Sequence, residues 1–422
     1  MTIAGHKDTH SRPGELLNVS RFSLRSQRGV FSANSAVNVF RRLAPHASLT
    51  SRTLADIVAG AMNVVKATRH FEDWLSHRTH LVQKDVHLKH VSMAAGVFPF
   101  LRATYYRWAQ LWPKVCSDLA KAPRVLAVGD LHVENFGTWR DIEGRLIWGV
   151  NDFDEAHILS YANDLVRLAV SAHLATEAGH LPLNRKGICE AVLEGYTDGL
   201  RAQGLPFVLG ERNEWLRLIA ESKLRDPIHF WAKMDALPTV KGDIPVTALD
   251  AIEHLMPAHD LPYRLARRVA GLGSLGHARY VAIADWRGGR IAREAKALVS
   301  SACHWAEDQQ GPLDILYQTI ISRAVRCPDP FVHLHGRWVV RRLSPHCSRI
   351  ELATLKAQGA ELRLLHAMGW ETANIHLATK AARKSILAHM QKQTGKWLHQ
   401  ASDAMLEAVR KDWKDWKKHG YN

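Results

Sequence analysis

The chain has 422 residues, of which 46% are hydrophobic, and it carries a formal net charge of +15. It is too long for one small core, and its apolar content is enough for about two or three subdomains. No apolar run approaches the roughly 20 residues that span a bilayer, and the N-terminus lacks the apolar centre of a secretion signal, so we expect a soluble protein.

The number and spacing of the cysteines indicate a reducing cellular compartment. The five cysteines stand at positions 116, 189, 303, 327 and 347. They are odd in number, widely spaced and never in a CxxC pattern, which argues against both a disulfide framework and a thiolate zinc site. A cytoplasmic, reducing environment fits this usage best.

The positive charge is concentrated at the two ends of the chain. Residues 1–52 hold eight Lys and Arg against two acids, and residues 380–418 hold ten against four, so each end carries +6. The 327 residues between them carry only the remaining +3, which does not describe a basic groove along a phosphate backbone. Nucleic acid is therefore not the expected partner, although contact of the ends with RNA stays open as the less favoured interpretation.

The first half of the chain predicts helices around a polar loop. Residues 1–52 lack sustained periodicity and predict a mobile basic arm with room for one short helix. Apolar residues recur every three to four positions in 54–75, which predicts an amphipathic helix, and an aromatic-rich segment follows at 98–112. Short apolar runs on both sides of residues 128–137 predict strands with a polar loop between them.

The next segment predicts a buried helix with an identifiable start. The run NDLVRLAVSAHLATEAGH, residues 163–180, places Asn163 at the expected N-cap and Asp164 in the first turn, where a carboxylate suits the helix dipole. Helix is expected to continue to about residue 203. Residues 204–264 mix Pro, Gly and apolar pieces and predict a connection with short helices.

The second half predicts β-hairpins followed by helices. Hairpins are expected between residues 267 and 298, with a turn at Arg287-Gly288-Gly289. A helix is predicted at roughly 312–326, and a strand pair turned at Gly336 follows it. From residue 351 the pattern is helical to the end.

The loop VGDLHVENFG carries a candidate catalytic pair. Asp130 and Asn135 have the D-x-x-x-x-N spacing of a loop in which the Asp accepts the proton of a substrate hydroxyl and the Asn is a neutral magnesium ligand. The metal needs a harder ligand too. Asp152, in NDFDEA after the apolar run RLIWGV, supplies a carboxylate that bridges magnesium to the β- and γ-phosphates.

A glycine pattern lies in the predicted hairpin region. Gly271, Gly273 and Gly276, with Ser274 among them, form GxGxxG, which alone is weak evidence. In a dinucleotide fold the third glycine opens a helix, whereas ARYVAIADW here predicts a strand, so a kinase-type loop over phosphates fits better. Glu294 lies at the distance of a ribose-binding acid, which keeps the dinucleotide interpretation open as the less favoured one.

A lysine follows on the next strand. A kinase-type site needs a lysine such as Lys296 there, because a point charge beside the glycine loop holds the α- and β-phosphates. Without the upstream glycines, an ordinary exposed lysine would be the better interpretation. Asp154 and Glu155, next to the candidate metal carboxylate, are expected to support the site or to lie at the surface.

Other interpretations compete for the polar loop. Asp130-Leu131-His132 has the DxH form that opens the ligand set of two-metal phosphoesterases, but the Gly-Asn-His tripeptide typical of such sites is missing from the chain. A simple polar turn is less favoured, because two suitable clusters follow one another in the right order. Arg102 is a candidate either to hold the acidic loop by a charge-assisted bond or to pack its stem on aromatic rings.

Taken together, the motifs resemble a bacterial family catalogued as domain of unknown function 2252, which is similar to kinase-like and aminoglycoside-phosphotransferase-like proteins. The resemblance rests on GDLHVENFG, NDFDEA with NDLVRLAVS, GLGSLGHARYV and WVVRRLSPHCSRIEL, and it covers about residues 80–420. It implies an α+β, protein-kinase-like two-lobed fold that is circularly permuted, with the catalytic loop before the glycine-rich loop. This order is admissible, because chains tolerate joining and cutting at surface sites.

The resemblance also implies roles for particular residues. Asp130 would be the base, Asn135 and Asp152 the metal ligands, and Lys296 the phosphate partner beneath the glycine cover. Kinase-type loops usually place a His two residues before the Asp, and Val128 stands there instead.

The acid that should pair with Lys296 is not evident from the sequence. Glu307 is the nearest downstream candidate, and Asp314 is a weaker one. This uncertainty bears on catalytic competence more than on nucleotide binding.

The expected organisation is a basic arm (1–52), a helical lobe with the catalytic and metal-binding loops (53–265), a small β-rich nucleotide-binding lobe (266–345) and helices completing the large lobe (346–422). The expected function is ATP- and Mg²⁺-dependent phosphoryl transfer to a hydroxyl of an unidentified small molecule or protein. A nucleotide-binding pseudokinase without turnover is the alternative, and transfer of AMP stays open.

The permuted order makes one geometric demand. Asp152 and Lys296 are 144 positions apart, yet both must reach the same triphosphate. The hairpin at 271–296 is therefore expected to fold over a cleft floored by 130–135 and Asp152. The helices after residue 351 are expected to pack against those after residue 162.

Overall fold

The computed structural model describes residues 62–420, except 180–182, 211, 222–225, 312 and 348–359. All of these residues belong to one compact unit, Arg52–Asn422. The predicted arm and the first residues of the helix predicted at 54–75 lie outside the described residues.

The N-terminal helices are α1 Val64–Ser76, α2 Gln83–Ala95, α3 Val97–Ala103, α4 Tyr105–Val115 and α5 Ser117–Ala120. The side chain of Asn63 caps α1 by accepting the Lys66 backbone N–H at 2.9 Å. Phe71 of α1 stacks on Tyr106 of α4 with ring centroids 4.3 Å apart. The aromatic-rich segment predicted at 98–112 is thus helical, and it forms part of the core.

Four short strands carry the polar loops: β1 Arg124–Ala127, β2 Phe136–Arg140, β3 Leu146–Val150 and β4 His157–Ser160. β2 pairs antiparallel with β3, from Phe136 opposite Val150 to Arg140 opposite Leu146. β1 pairs with β4. A hairpin therefore separates the two acidic clusters, where the sequence indicated a single strand. The strand β2 was missed because FGTWR has little apolar alternation.

The helix after β4 starts earlier than predicted. α6 runs over Tyr161–Glu177 with Ser160 as its N-cap, so the prediction of Asn163 as the cap is wrong. The cause is that β4 leads directly into the helix, and Ser160 Oγ accepts the backbone N–H of Ala162. Asp164 lies in the first turn, as predicted.

The connecting region contains short elements, as predicted. α7 Arg185–Arg201 is followed by β5 Phe207–Val208, α8 Glu214–Glu221, α9 Pro227–Asp235 and α10 Val246–Glu253. β5 adds a third strand to the sheet, in the order β2-β3-β5.

A five-stranded antiparallel sheet follows, with the order β6-β7-β8-β10-β9. Its strands are β6 Arg264–Arg267, β7 Arg279–Trp286, β8 Gly289–Ala297, β9 Val332–His335 and β10 Trp338–Leu343. The predicted turns are confirmed: Arg287 and Gly288 have φ of 46° and 79°, as a two-residue hairpin turn requires, and Gly336 has a φ of 58°.

Helices cover both faces of this sheet. Met234 of α9 packs on one face against Ala266, Val281, Ile283 and Ala292. On the other face, α10 packs against a second set of small side chains, and the buried members of that cluster are Ala248, Ala251, Ile252, Ala278, Ala282, Ala295, Ala297, Trp338 and Val340. Alanines let a helix lie close to the sheet.

The helix predicted at 312–326 is shorter than expected: α11 Ala302–Ala306 and α12 Tyr317–Arg323 connect β8 to β9.

The C-terminal elements are α13 Ala360–His376, a 3-10 segment Leu377–Ala382, α14 Arg383–Lys392 and α15 Trp397–His419. α13 lies so close to α7 that a Cβ added at Gly195 would be 1.9 Å from the carbonyl oxygen of His366. Arg107 Nε of α4 donates to Asp412 Oδ2 of α15 at 2.6 Å. The predicted packing of C-terminal helices on those after residue 162 is confirmed, while the lobe boundaries stay predictions.

Two further observations concern the chain as a whole. The five cysteines are free thiols. Within the described part of the chain, no helix combines the length and apolar character that crossing a membrane requires.

Candidate functional site

The two polar loops lie side by side because β2 and β3 form one hairpin. The backbone N–H of Asn151 donates to the carbonyl of Asn135 at 3.1 Å. The Asn135 side-chain amide donates to the carbonyls of Asp130 and Asp152 at 3.2 and 3.1 Å. Since both amide hydrogens are used, Asn135 Oδ1 is the atom oriented for a ligand. The predicted metal ligands Asn135 and Asp152 are thus neighbours.

Asp130 is held by an arginine that sequence reasoning missed. Arg167 donates from Nε and Nη2 to Asp130 Oδ1 at 2.8 and 2.5 Å. Its guanidinium is fully buried and lies over the rings of Tyr105 and Trp108. The second oxygen, Oδ2, faces residues 268–278, because a Cβ added at Gly273 would be 3.5 Å from it. Arg167 therefore holds Oδ1 of Asp130, and Oδ2 is left facing the glycines.

The turn before Asp130 is fixed from α6. The carboxylate of Asp164 accepts the backbone N–H groups of Val128 and Gly129 at 2.7 and 3.0 Å, and His376 Nε2 lies 3.0 Å from it. Gly129 has a φ of 81°, and an added Cβ would be 2.3 Å from the Glu155 carbonyl oxygen, so only glycine fits there. The sequence analysis assigned Asp164 to the helix dipole alone.

Lys296 reaches the loop that carries Asp152, as predicted. Its Nζ lies 3.3 Å from Asp152 Oδ1, and it contacts both carboxylate oxygens of Asp154, with 2.5 Å to Oδ2. The side chain of Lys296 is only 3% exposed. A lysine and a carboxylate 144 positions apart in the chain therefore meet in one buried cluster.

Neither downstream acid that was named as a candidate partner pairs with Lys296. Glu307 pairs with His157 at 3.8 Å, its side chain is 41% exposed, and Asp314 is exposed. The acid that pairs with Lys296 is Asp154, which was expected to support the site or to lie at the surface. Asp152 and Asp154 lie side by side because Asp154 begins a turn in which its backbone N–H donates to Asp152 Oδ1 at 3.4 Å.

The glycine segment, residues 268–278, joins β6 to β7. Gly271 and Gly276 have φ of 76° and 102°, which only glycine adopts readily. Gly273 packs against the loop below it, since an added Cβ would be 3.1 Å from the Arg102 carbonyl oxygen. Ser274 Oγ accepts from Arg279 Nη2 at 2.5 Å, so this serine braces the segment. The predicted fold of the hairpin over residues 130–135 and 152 is confirmed.

Most of these groups line a cavity of about 70 Å³, which we call the carboxylate pocket. Its polar wall consists of Lys89, Arg102, Asp130, His132, Asn135, Asp152, Asp154, Glu155, Gly271, Gly273 and Ser274. Lys296 lies behind this wall and neutralises part of it. The predicted site residues that line it are therefore Asp130, Asn135, Asp152, Gly271, Gly273 and Ser274.

Burial raises the pKa values of three acids in the carboxylate pocket. Burial raises the pKa of Asp130, against the opposing charge of Arg167. It also raises the pKa of Asp154 to about 6, with the Asp152 carboxylate adding to the effect, and the pKa of Glu155 to about 7. Such shifts cluster at functional sites, because acids are brought together there before a cation or substrate binds.

Two positively charged side chains, those of Arg102 and Lys89, also line the carboxylate pocket. Arg102 Nη1 lies 2.6 Å from Glu134 Oε2, which confirms the predicted charge-assisted bond to the acidic loop. Lys89 of α2, which the sequence analysis did not single out, is buried and donates from Nζ to the Gly273 carbonyl at 3.2 Å. Burial lowers the pKa of Lys89. Its helix has charged residues on several faces, so no pattern marked this lysine.

A second, larger cavity of about 910 Å³ adjoins the first, and Gly271 lines both. We call it the arginine cavity, after Arg268, Arg279, Arg326, Arg341 and Arg342 in its wall. The wall also contains aromatic side chains, namely Trp139, Phe153, Phe230 and Tyr317.

Glu294 lies fully buried behind the arginine cavity. It pairs with Arg268, Arg279 and Arg341 at 2.5, 3.1 and 2.7 Å. Burial alone would raise the pKa of Glu294, but these guanidinium groups hold it well below its usual value. The dinucleotide interpretation needs a helix after the third glycine and an acid open to ribose, whereas the chain has β7 and an enclosed acid there.

The structure defines a mixed α+β protein in which antiparallel sheets and helices surround two adjoining cavities. Residues 81–210 are similar to a family described as an uncharacterized protein conserved in bacteria, DUF2252. No curated protein and no solved structure matches the chain. The matched segment contains both loops of the carboxylate pocket, and it ends before the glycine segment and Lys296.

Proposed function

We propose that the protein is a kinase-like phosphotransferase that binds ATP with Mg²⁺ and transfers its terminal phosphoryl group to a hydroxyl. The observation that carries this proposal is the 3.3 Å distance from Lys296 Nζ to Asp152 Oδ1. Kinases use a lysine on the third strand of a sheet, after a glycine loop between the first two strands, next to a magnesium carboxylate. Here β6, β7 and β8 stand in that order, after the acidic loops in the chain.

The donor atoms fit magnesium. Asn135 Oδ1 and the Asp152 carboxylate would hold the ion, since Mg²⁺ prefers hard oxygen ligands and takes only one or two carboxylates, with substrate phosphates and waters completing its shell. Among the described residues, no group of three or more His, Cys, Asp or Glu is arranged to hold a metal. Magnesium held by Asn135 and Asp152 would supply positive charge that neutralises the phosphate oxygens of the nucleotide.

The residues of the chain would divide the remaining work. Asp130 Oδ2 would accept the proton of the substrate hydroxyl, while Arg167 keeps Oδ1 in place. Lys296 would hold phosphate oxygens beside the metal loop, and the backbone from Gly271 to Gly276 would cover them. Lys89, next to the Gly273 carbonyl, adds a second positive charge where a transferred phosphoryl group would lie.

The arginine cavity gives room for the rest of the nucleotide. Its volume of about 910 Å³ lies within the range of small-molecule sites, and it meets the carboxylate pocket at Gly271. Trp139, Phe153 and Tyr317 are buried residues of its wall and make part of that wall apolar, which suits a nucleotide base. This supports a nucleotide that extends from one cavity into the other.

One observation favours the pseudokinase alternative. An active kinase pairs its strand lysine with a glutamate on the helix after that strand. Here Lys296 pairs with Asp154 and Asp152 of the metal loop instead. In the free protein this pairing would compete with nucleotide phosphates for the lysine.

The test uses purified protein with ATP labelled at the γ- or the α-phosphate, in the presence of Mg²⁺. We expect turnover or self-labelling from the γ-label, absent in Asp130→Asn and retained in Asp285→Asn, a control whose side chain is 93% exposed. Transfer of the α-label would indicate AMP transfer. Saturable binding without any turnover, under every divalent metal, would support the pseudokinase; absence of nucleotide binding would contradict both.

A further inference from the structure

The arginine cavity holds more guanidinium groups than nearby carboxylates neutralise. Three of its five arginines share one buried acid, Glu294. The other two are Arg326, in the connection before β9, and Arg342, which follows Arg341 in β10. Lys233 adds a further positive charge to the wall, and Asp226 and Asp329 are the acids that line it.

Arg326 is held by aromatic rings. Its guanidinium lies 4.6 Å from the ring centroid of Trp139 and 5.0 Å from that of Phe153. Nη1 is buried and has no hydrogen-bond partner within the described part of the chain. Nearby Glu371 acts on Arg326 through its charge, while its two oxygens accept hydrogen bonds from Val150 N and Asn374 Nδ2.

Arg342 has a similar arrangement. Its guanidinium lies 4.3 Å from the ring centroid of Phe331. Nη2 donates to the Arg140 carbonyl at 3.3 Å, and Asp329 is 3.8 Å away, beyond good hydrogen-bond distance. Nε is buried and lacks a partner among the residues that the structure describes. Since Arg326 Nη1 and Arg342 Nε are themselves enclosed, the remaining nitrogens of these two guanidinium groups are the ones that can meet a ligand in the cavity that both side chains line.

We propose that the arginine cavity is an oxyanion site, in which Arg326 and Arg342 bind a phosphate or carboxylate group of the ligand. A planar guanidinium fixed on an aromatic ring is already oriented for paired hydrogen bonds to such a group. The anion site itself does not depend on phosphoryl transfer. The anion site also defines the ligand class, and this step rests on the proposed function. The ligand would carry an acidic group at some distance from the phosphoryl group that reacts in the carboxylate pocket.

The test is calorimetric titration of the full chain with inorganic phosphate, and separately with citrate, without nucleotide or metal. We expect saturable binding of at least one probe, weakened about tenfold or more in Arg326→Gln, because a charged hydrogen-bonding partner is lost. Arg323→Gln is the matched control, since Arg323 is exposed on α12 and outside the cavity wall. Preference between the probes separates a phosphate ligand from a carboxylate one.

Two further variants keep the result interpretable. Arg342→Gln is expected to weaken binding as Arg326→Gln does, and it serves if the latter fails to fold by circular dichroism. Asp130→Asn should leave phosphate binding unchanged while removing turnover, so failure of the anion site and failure of the proposed function are distinguishable. Absence of saturable binding of both probes, or binding that neither arginine substitution changes, would overturn the proposal.

Discussion

The two cavities that meet at Gly271 differ in size and in how their charges are compensated. The carboxylate pocket, about 70 Å³, contains four acids. The cationic side chains of Lys296, Arg167 and Lys89 lie next to them and compensate their negative charges. The arginine cavity, about 910 Å³, contains five arginines, of which three share one acid. The small pocket therefore suits a metal ion with phosphate oxygens, and the large one suits a bulky ligand with an anionic group.

The largest expected effect concerns the base in the carboxylate pocket. Asp130→Asn should lower turnover by about 10²- to 10⁴-fold, the usual contribution of a general base, and leave nucleotide affinity nearly unchanged. Single-turnover rates with labelled ATP measure the first quantity, and calorimetry measures the second. Turnover that survives the substitution would remove Asp130 from the mechanism.

Glu371 links stability to pH next to both cavities. Burial raises its pKa to about 7, against the Arg326 charge, whereas an unfolded Glu has an ordinary value of about 4.5. The folded state thus binds more protons between about pH 4.5 and 7, so the free energy of unfolding should fall as pH rises through this window, by on the order of 3 kcal/mol. Glu371→Gln should flatten this dependence in urea titrations, and the exposed control Glu194→Gln should not. An unchanged slope in Glu371→Gln would contradict the assignment.

Asp152 is predicted to act through the metal. Asp152→Asn should raise the Mg²⁺ concentration for half-maximal turnover by at least about tenfold, since even supporting residues of metal sites cause losses of that size. The same change should matter less when Mg²⁺ is saturating. If Asp130→Asn and Asp152→Asn alter metal dependence equally, the division between base and ligand is wrong.

The smallest effect is expected at Lys89, which tests whether positive charge in the carboxylate pocket contributes to binding. Lys89→Met keeps most of the length of the side chain and removes its charge, so KM for ATP should rise about three- to tenfold. Lys84→Met, at an exposed position of the same helix, should leave KM unchanged. Equal KM values in the two variants would limit Lys89 to a structural contact with Gly273.

Local patterns predicted the hairpins of the five-stranded sheet and the polar loops, but they missed β2 and its hairpin with β3. Gly288 and Gly336 marked turns because their positive φ favours glycine, and Asp130 and Asn135 lie on the loop between β1 and β2. The meeting of Asp152 with Lys296 followed only from the chemical demand of a shared ligand, since no local signal links residues so far apart.

The residues that were missed are buried charges whose partners are remote in sequence. Arg167 reads as a polar position of a helix, yet it is fully buried on Asp130, 37 positions earlier. Lys89 meets Gly273 across 184 positions. Such pairs depend on how helices and sheets pack together, and periodicity carries no information about them.

The central claim is that the acidic loops and the glycine segment form one metal–nucleotide site. Calorimetry of a non-hydrolysable ATP analogue, with Mg²⁺ and with EDTA, tests it most directly. We predict that Mg²⁺ strengthens binding to the unaltered protein, that Asp152→Asn loses this gain, and that Lys296→Met weakens binding under both conditions. Affinity that is independent of Mg²⁺ and unaffected by either substitution would contradict the claim.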